Sequence, residues 1–365
     1  MKKSDFVLML VRSSLWQTPL DHFDMSPSQY KAVMEIGDMQ CVTGMIADCL
    51  KSNNMGLTKK CVIHLLQLEN SLTLTNQRLN MGVIKLSKLL NSHGIRYAIV
   101  KGQTLGIYYP KPEFRTPGDI DFYVGKEDVQ RAIEVIGKEW GLSIAKKKFG
   151  LKHICFDYEF NTYELHKSLL ALTTNSNLRY MERLTEEDPL SYITIDGEDK
   201  IATLSPTLNV FYTFCHFFHH LRIEGVAYRQ LCDWALMMHH CKDDIDTGKL
   251  LEILKKTNYL KAYKAFGSIA INKLGLPKED FPFPITAKDE KWGTIILKDI
   301  QDYGNWGEYG NSVGDKKIMK NKIKFWAKGV HRFFKYAPLS PREMTIFITC
   351  TMPMLFVDWV RRRLS

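Results

Sequence analysis

The run Gly118-Asp119-Ile120-Asp121-Phe122-Tyr123-Val124 says more about the fold than any other stretch of this sequence. Two acidic residues alternate with apolar ones and an apolar run follows, which predicts a short, half-buried β-strand. Residues i and i+2 of a strand point to the same face, so the carboxylates of Asp119 and Asp121 are expected about 7 Å apart along one face.

Like charges at that spacing repel each other, so the acidic pair by itself does not favour folding. Two hard oxygen ligands do suit Mg²⁺, with Mn²⁺ as the alternative, and paired metal ions are a common means of phosphoryl and nucleotidyl transfer. A structural acid pair whose charges are satisfied within the protein is the other interpretation.

Upstream of the acidic strand, Tyr97–Val100 is predicted to form a buried strand that ends in Lys101-Gly102-Gln103, followed by a short helix, Thr104–Tyr109. A glycine at such a junction allows the backbone to approach a phosphate, and a helix N-terminus offers free amides. Lys101, Gly102 and Gln103 are therefore candidate phosphate ligands. Arg115, in the proline-rich loop before the acids, is expected either to bind a phosphate or to form a salt bridge within the loop.

A third carboxylate would complete a metal site, and Glu164 is the best candidate because it lies between apolar residues on the predicted strand 163–168. His166 shares its face of that strand. Asp157 and Glu159, on the preceding predicted strand 153–160, are competitors for the same role.

The wider pattern predicts an α+β protein in which a small mixed sheet is flanked by helical regions. We divide the chain into an N-terminal helical region (1–92), an α/β core (93–170) and a mainly helical C-terminal part (171–365) with a small hairpin near 191–204. Within the core, a helix is predicted over Glu127–Trp140 and a further strand over Leu142–Lys147.

The composition limits which binding partners and which cellular compartment are expected. The net charge of +10 favours anionic partners, but the basic residues are dispersed along the chain, so nucleic acid is a less favoured partner. Eight cysteines without a Cys-x-x-Cys pair indicate free thiols in a reducing, cytoplasmic setting. The apolar segment 346–360 is too short to span a bilayer, so no transmembrane segment is expected; Arg361-Arg362-Arg363 after it could contact anionic lipid.

Taken together, Lys101-Gly102, Tyr109-Pro110, Arg115 and the Asp119/Asp121 strand resemble the uncharacterised bacterial nucleotidyltransferases of the DNA polymerase beta-like superfamily. The resemblance implies a glycine motif on one strand, an Asp-x-Asp on the next and a third acid on a later strand. It assigns Asp119, Asp121 and Glu164 to the metal and to catalysis. The superfamily usually has Gly or Ser where this chain has Gln103, whose side-chain amide can still donate.

The same resemblance extends into the helical half. His216, Arg229 and Asp233 match its helical signature, and together with His166 they are expected to line the nucleotide site. Two alternatives stay open: a zinc site using His216 and His220 at i, i+4, and a surface ion pair between Arg229 and Asp233.

The resemblance implies an enzyme that transfers an NMP from an NTP such as ATP to a hydroxyl of an unidentified small-molecule or macromolecular acceptor. The alternatives are a nucleotide-binding or regulatory protein that retains the fold with weak or no turnover, and an RNA-modifying enzyme, against which the dispersed charge argues.

Overall fold

The computed structural model describes residues 2–144, 153–169, 175–223, 225–304, 330–346 and 349. Helices and strands are mixed, as the α+β prediction requires. The helices are α1 (Lys3–Trp16), α2 (Pro27–Met39), α3 (Thr43–Ser52), α4 (Lys59–Ser92), α5 (Gln103–Gly106), α6 (Val129–Trp140), α7 (Asn175–Glu186), α8 (Pro206–Ile223), α9 (Tyr228–His240), α10 (Thr247–Thr257), α11 (Leu260–Ile269), α12 (Ala287–Tyr303) and α13 (Pro341–Ile346). Residues 330–336 are also helical. The strands are β1 (Tyr97–Val100), β2 (Ile120–Val124), β3 (His153–Tyr158), β4 (Asn161–His166), β5 (Ser191–Ile195) and β6 (Glu198–Thr203).

Four strands form a mixed sheet in the order β1-β2-β4-β3. Strands β2 and β4 run parallel, whereas β1 pairs antiparallel with β2 and β3 pairs antiparallel with β4. The register places Asp121 beside Glu164 on β4, and Val100, the last residue of β1, beside Asp121 on the other side. The two acids predicted on separate strands therefore become neighbours.

Two tight turns determine the hairpins. Glu159 and Phe160 connect β3 to β4 with φ of 46° and 62°, and Asp196-Gly197 connects β5 to β6 with φ of 47° and 83°. Two consecutive residues with positive φ are typical of a two-residue hairpin turn. The predicted hairpin near 191–204 is confirmed.

The long helix α4 packs closely on the sheet at Gly82. A Cβ atom there would lie 2.7 Å from Asn161 Nδ2 and 2.8 Å from both the Tyr163 hydroxyl and Ile120 Cδ1. The absence of a side chain at this position brings α4 close enough to contribute Asn76 and Asn80 to the turn after β1.

Apolar residues form two buried clusters. One surrounds the sheet and includes residues of α4, α6, β5 and β6. The other joins α1–α3 to α8–α12, so the first three helices pack with the C-terminal helices in one core. The division at residues 92 and 170 stays a prediction.

Several predicted elements differ from those observed. The helix after Gly102 is a single turn, Gln103–Gly106, and does not extend to Tyr109, where the following Pro110 disfavours helical geometry. Residues 142–144 are not in a strand, and the rest of the predicted strand 142–147 lies outside the described residues. The apolar segment 346–360 also lies almost wholly outside them.

Within the described part of the chain, no helix combines the length and the apolar character needed to cross a bilayer.

Candidate active site

The loop that leads into β2 is held in place by a buried ion pair. Arg115 donates from Nε to Asp233 Oδ1 and from Nη2 to Asp233 Oδ2, both at 2.8 Å. Tyr109 donates its hydroxyl to Asp233 Oδ1 at 2.7 Å. The side chains of Arg115 and Asp233 are only 4% and 5% exposed. This bidentate pair joins the loop to α9, so the guanidinium of Arg115 and the carboxylate of Asp233 are paired with each other within the protein.

The backbone of the same loop is bound from two sides. Arg229 of α9 donates from Nη1 to the carbonyls of Thr116 at 3.1 Å and Pro117 at 3.0 Å. Asn76 of α4 donates to the carbonyl of Arg115 at 2.9 Å. Arg229 and Asp233 therefore bind the loop and not each other, and the predicted i, i+4 pair between them is not the arrangement observed.

Asp119 and Asp121 lie in different surroundings. Strand β2 begins at Ile120, so Asp119 is the last residue of the loop and is exposed, whereas Asp121 is 8% exposed. The sequence predicted both carboxylates on one strand face. Asp119 instead lies outside the regular strand, and in the described residues it is not part of either group of three potential metal ligands.

The carboxylate of Asp121 contacts two nitrogen-bearing side chains of the site. Its Oδ1 lies 2.8 Å from Lys101 Nζ and 2.7 Å from His166 Nε2. Burial alone would raise the pKa of Asp121, but the charge of Lys101 and the hydrogen bond with His166 outweigh burial and hold the pKa well below its usual range. Asp121 is therefore ionised at neutral pH.

Glu164 lies on β4 opposite Asp121 and close to His166. Its Oε2 is 3.5 Å from His166 Nε2. The donor atoms of Asp121, Glu164 and His166 lie within 4.8 Å of one another, so two carboxylates and one imidazole converge on one point. This donor set fits a divalent cation, since the carboxylate oxygens suit Mg²⁺ and Mn²⁺.

The turn after β1 has unusual backbone geometry. Lys101 and Gly102 have φ of 59° and 48°, and the positive φ at Lys101 is uncommon for a residue with a side chain. The turn directs the Lys101 ammonium to Asp121. Gln103 donates its side-chain amide to the Oδ1 atoms of Asn76 and Asn80, so this amide is directed at α4.

Helix α8 closes the other side of the site. His216 lies 3.3 Å from Lys101 Nζ through its Nε2 atom, and its ring centroid lies 4.3 Å from that of His220. Burial, and then the positive charge of Lys101, hold the pKa of His216 well below its usual value. His216 is therefore neutral at pH 7. In the described residues neither His216 nor His220 belongs to a group of three metal ligands.

Sequence reasoning missed three residues at this site. Tyr212, one helical turn before His216, is 1% exposed, and burial followed by the charges of Asp121 and Glu164 raises the pKa of its hydroxyl. Cys155 and His153 lie beside Glu164 on β3. Alternation along β3 placed 153 and 155 on one face, but only the β3–β4 register shows that this face meets Glu164.

Of the predicted nucleotide-site residues, the structure brings Lys101, Asp121, Glu164, His166 and His216 together. The other three charged residues lie outside this group and stabilise the loop that leads into β2: Arg115, Arg229 and Asp233. Gly102 lies in the turn, where an added Cβ would be 3.4 Å from the Asp119 carbonyl.

Comparison with known proteins identifies a family. The profile of the family described as "Uncharacterised nucleotidyltransferase" matches residues 26–270. No curated protein matches the chain. A solved structure, an antigenic nucleotidyltransferase-like protein from Paracoccidioides brasiliensis, is 14% identical with a TM-score of 0.29, over 51% of this chain and 91% of that chain, a likeness too low to support an argument. Because the family match covers more than half of the 365 residues, the chain belongs to this family of uncharacterised nucleotidyltransferases.

Proposed function

We propose that the protein is a metal-dependent nucleotidyltransferase that moves an NMP from an NTP to a hydroxyl of an acceptor. The observation that carries the proposal is the convergence of Asp121, Glu164 and His166 at the parallel β2–β4 pair. Family membership supports the reaction class.

Asp121 and Glu164 would hold the cation, Mg²⁺ or Mn²⁺, with Asp119 as a further carboxylate in the exposed end of the loop just before β2. Such an ion, when bound, neutralises phosphate charge and polarises the phosphoryl group. His166 orients the Asp121 carboxylate through its 2.7 Å hydrogen bond.

The remaining groups supply charge, proton transfer and position. Lys101 brings a positive charge to within 2.8 Å of Asp121, where it can also bind a nucleotide phosphate. We assign Glu164, through the carboxylate oxygen that does not bind the cation, as the base that accepts the proton of the acceptor hydroxyl, since this carboxylate is half-buried and reachable. His216 is neutral and acts as a hydrogen-bonding group. Arg115, Arg229 and Asp233 act as positioning residues for the loop that carries Asp119.

The test is transfer of α-labelled NTP to acceptors in a metabolite and protein extract, with Mg²⁺ or Mn²⁺. The double variant Asp119→Asn, Asp121→Asn is expected to lose transfer while its circular dichroism stays native. The matched control is Asp157→Asn, which neutralises an exposed acid on β3 that accepts a hydrogen bond from Thr162. Unchanged transfer in the double variant would falsify the assignment.

One observation favours a second function, nucleotide binding without turnover. Lys101 already pairs with Asp121 and offsets part of the negative charge that a cation needs. Tight NTP binding by calorimetry, with no labelled product from any acceptor and either metal, would establish this second function in place of the first.

A further inference from the structure

A second group of ligand-type side chains lies beside the Asp121 cluster, on the outer strand of the sheet. The donor atoms of His153, Cys155 and Glu164 lie within 4.8 Å of one another. Cys155 pairs directly with Glu164 across the β3–β4 ladder, and His153 lies two residues earlier on the same face of β3. The hairpin register, not chance proximity of flexible side chains, therefore brings this group together.

The carboxylate of Glu164 faces both groups through different oxygens. Its Oε1 lies 3.4 Å from Cys155 Sγ and 3.5 Å from His153 Nε2, whereas its Oε2 lies 3.5 Å from His166 Nε2. One oxygen is thus available on each side, and the two groups do not compete for the same atom.

The two separations around Glu164 Oε1 are close to those of ligands on one tetrahedral ion. Zinc bonds of about 2.3 Å to sulfur and about 2.0–2.2 Å to nitrogen or oxygen place a sulfur and an oxygen ligand about 3.5–3.7 Å apart at the tetrahedral angle, and a nitrogen and an oxygen ligand about 3.3–3.5 Å apart. The observed 3.4 Å to Cys155 Sγ is about 0.1 Å shorter than the first range, and the 3.5 Å to His153 Nε2 lies at the end of the second. A thiolate, an imidazole and a carboxylate also form a zinc-type donor set that Mg²⁺, which prefers oxygen, does not select.

The group is accessible from solvent. The His153 side chain is 42% exposed, and among the cysteines that the structure describes Cys155 alone is not buried. An ion therefore has an entry path, and the thiol has a route by which to release its proton.

We propose that His153, Cys155 and Glu164 bind a thiophilic divalent cation of the zinc class, at a position adjacent to and distinct from that at Asp121 and His166. On binding, the Cys155 Sγ–H bond breaks and the proton passes to solvent, while sulfur, His153 Nε2 and Glu164 Oε1 replace water on the ion. No electron transfer is involved. The proposal concerns binding and does not depend on transfer activity.

The test is titration of the full-length protein, kept reduced with a non-thiol reductant, with Co²⁺ as a spectroscopic substitute for Zn²⁺. One equivalent is expected to produce a thiolate-to-cobalt charge-transfer band in the near ultraviolet, which Zn²⁺ removes and excess Mg²⁺ leaves in place. Cys155→Ser is expected to abolish the band, and His153→Ala, which removes a proposed ligand, to weaken Co²⁺ binding by roughly 100-fold or more, since loss of an outer-shell partner alone costs roughly 10–100-fold.

Asp157→Asn is the matched control, because it removes a charge from the same face of β3 without removing a proposed ligand, and it should bind Co²⁺ like the wild type. The exposed position of His153 keeps that variant informative if Cys155→Ser fails to fold. Absence of the band in the wild type overturns the proposal. Its survival in folded Cys155→Ser does so as well, as does a loss of affinity in Asp157→Asn equal to that in His153→Ala.

Discussion

Asp233→Asn tests the support of the loop that carries Asp119. The substitution is nearly isosteric but removes the charge that balances Arg115 and replaces an acceptor oxygen with an amide that donates. Asp233 accepts three hydrogen bonds, two from Arg115 and one from Tyr109. Both charged side chains are at most 5% exposed, so solvent cannot take over the lost interactions.

The expected loss in the free energy of unfolding comes from Arg115, which loses its charged partner. Removing one partner of a buried pair destabilises by about 3–5 kcal/mol, because the remaining charge stays buried without compensation. That is a large part of a total stability of about 5–15 kcal/mol. Tyr109→Phe removes a single hydrogen bond to the carboxylate and should cost about 1.5–3 kcal/mol.

The assay is urea unfolding followed by tryptophan fluorescence, comparing midpoints at an unchanged m-value. In the apolar double variant Arg115→Met, Asp233→Leu no charge is left unpaired, so it should be more stable than Asp233→Asn. The reasoning is refuted if Asp233→Asn lies within about 1 kcal/mol of the wild type, below the range for a broken buried pair. It is also refuted if the double variant is the least stable of the set.

Three further predictions concern other contacts. Gly82→Ala should destabilise by about 1–3 kcal/mol in urea unfolding, because the new methyl group would overlap atoms of β2 and β4; a stabilised variant would contradict this packing. His216 has a folded-state pKa below its unfolded value, so stability should fall as the pH drops below about 6.5, by up to about 1.4 kcal/mol per pH unit. His216→Gln should reduce that slope in unfolding measured between pH 5 and 7, and an unchanged slope would exclude His216 as its source. Gln103→Ala should leave NTP affinity in calorimetry within about threefold, since the amide binds α4; a tenfold or larger loss, which corresponds to a lost hydrogen bond of about 1.5–3 kcal/mol to a charged phosphate, would place Gln103 on the nucleotide.

Local patterns were enough to predict the strands that carry the site. Strand β1 was predicted over its observed residues, and so was the hairpin near 191–204, whose Asp196-Gly197 turn has the positive φ values that this dipeptide suits. Asp119 shows the limit of such patterns. The alternation of acidic and apolar residues predicts a strand but does not determine its first residue. The observed strand begins at Ile120, one residue after Asp119, so Asp119 belongs to the loop.

Long-range pairing could not be predicted in the same way. Arg115 before an acidic strand suits both phosphate binding and an ion pair, and the buried Asp233 that decides between them comes from α9, more than 100 residues later. Cys155 and His153 likewise became site residues only through the register of β3 against β4. The sequence therefore indicated which types of residue take part, whereas the tertiary structure was needed to identify the residues that they contact.

The parallel pairing of β2 with β4 also has a consequence for the order of assembly. Asp121 is synthesised well before Glu164 and His166, and parallel strands can pair only after the intervening α6 and β3 have been made. Closing so long a loop carries an entropic cost that precedes the gain from strand contacts. On the ribosome, a nascent chain that ends before residue 166 therefore contains Lys101 and Asp121 but not all of the proposed cation ligands. The proposed affinity for a divalent cation would accordingly be acquired late, as this sheet closes.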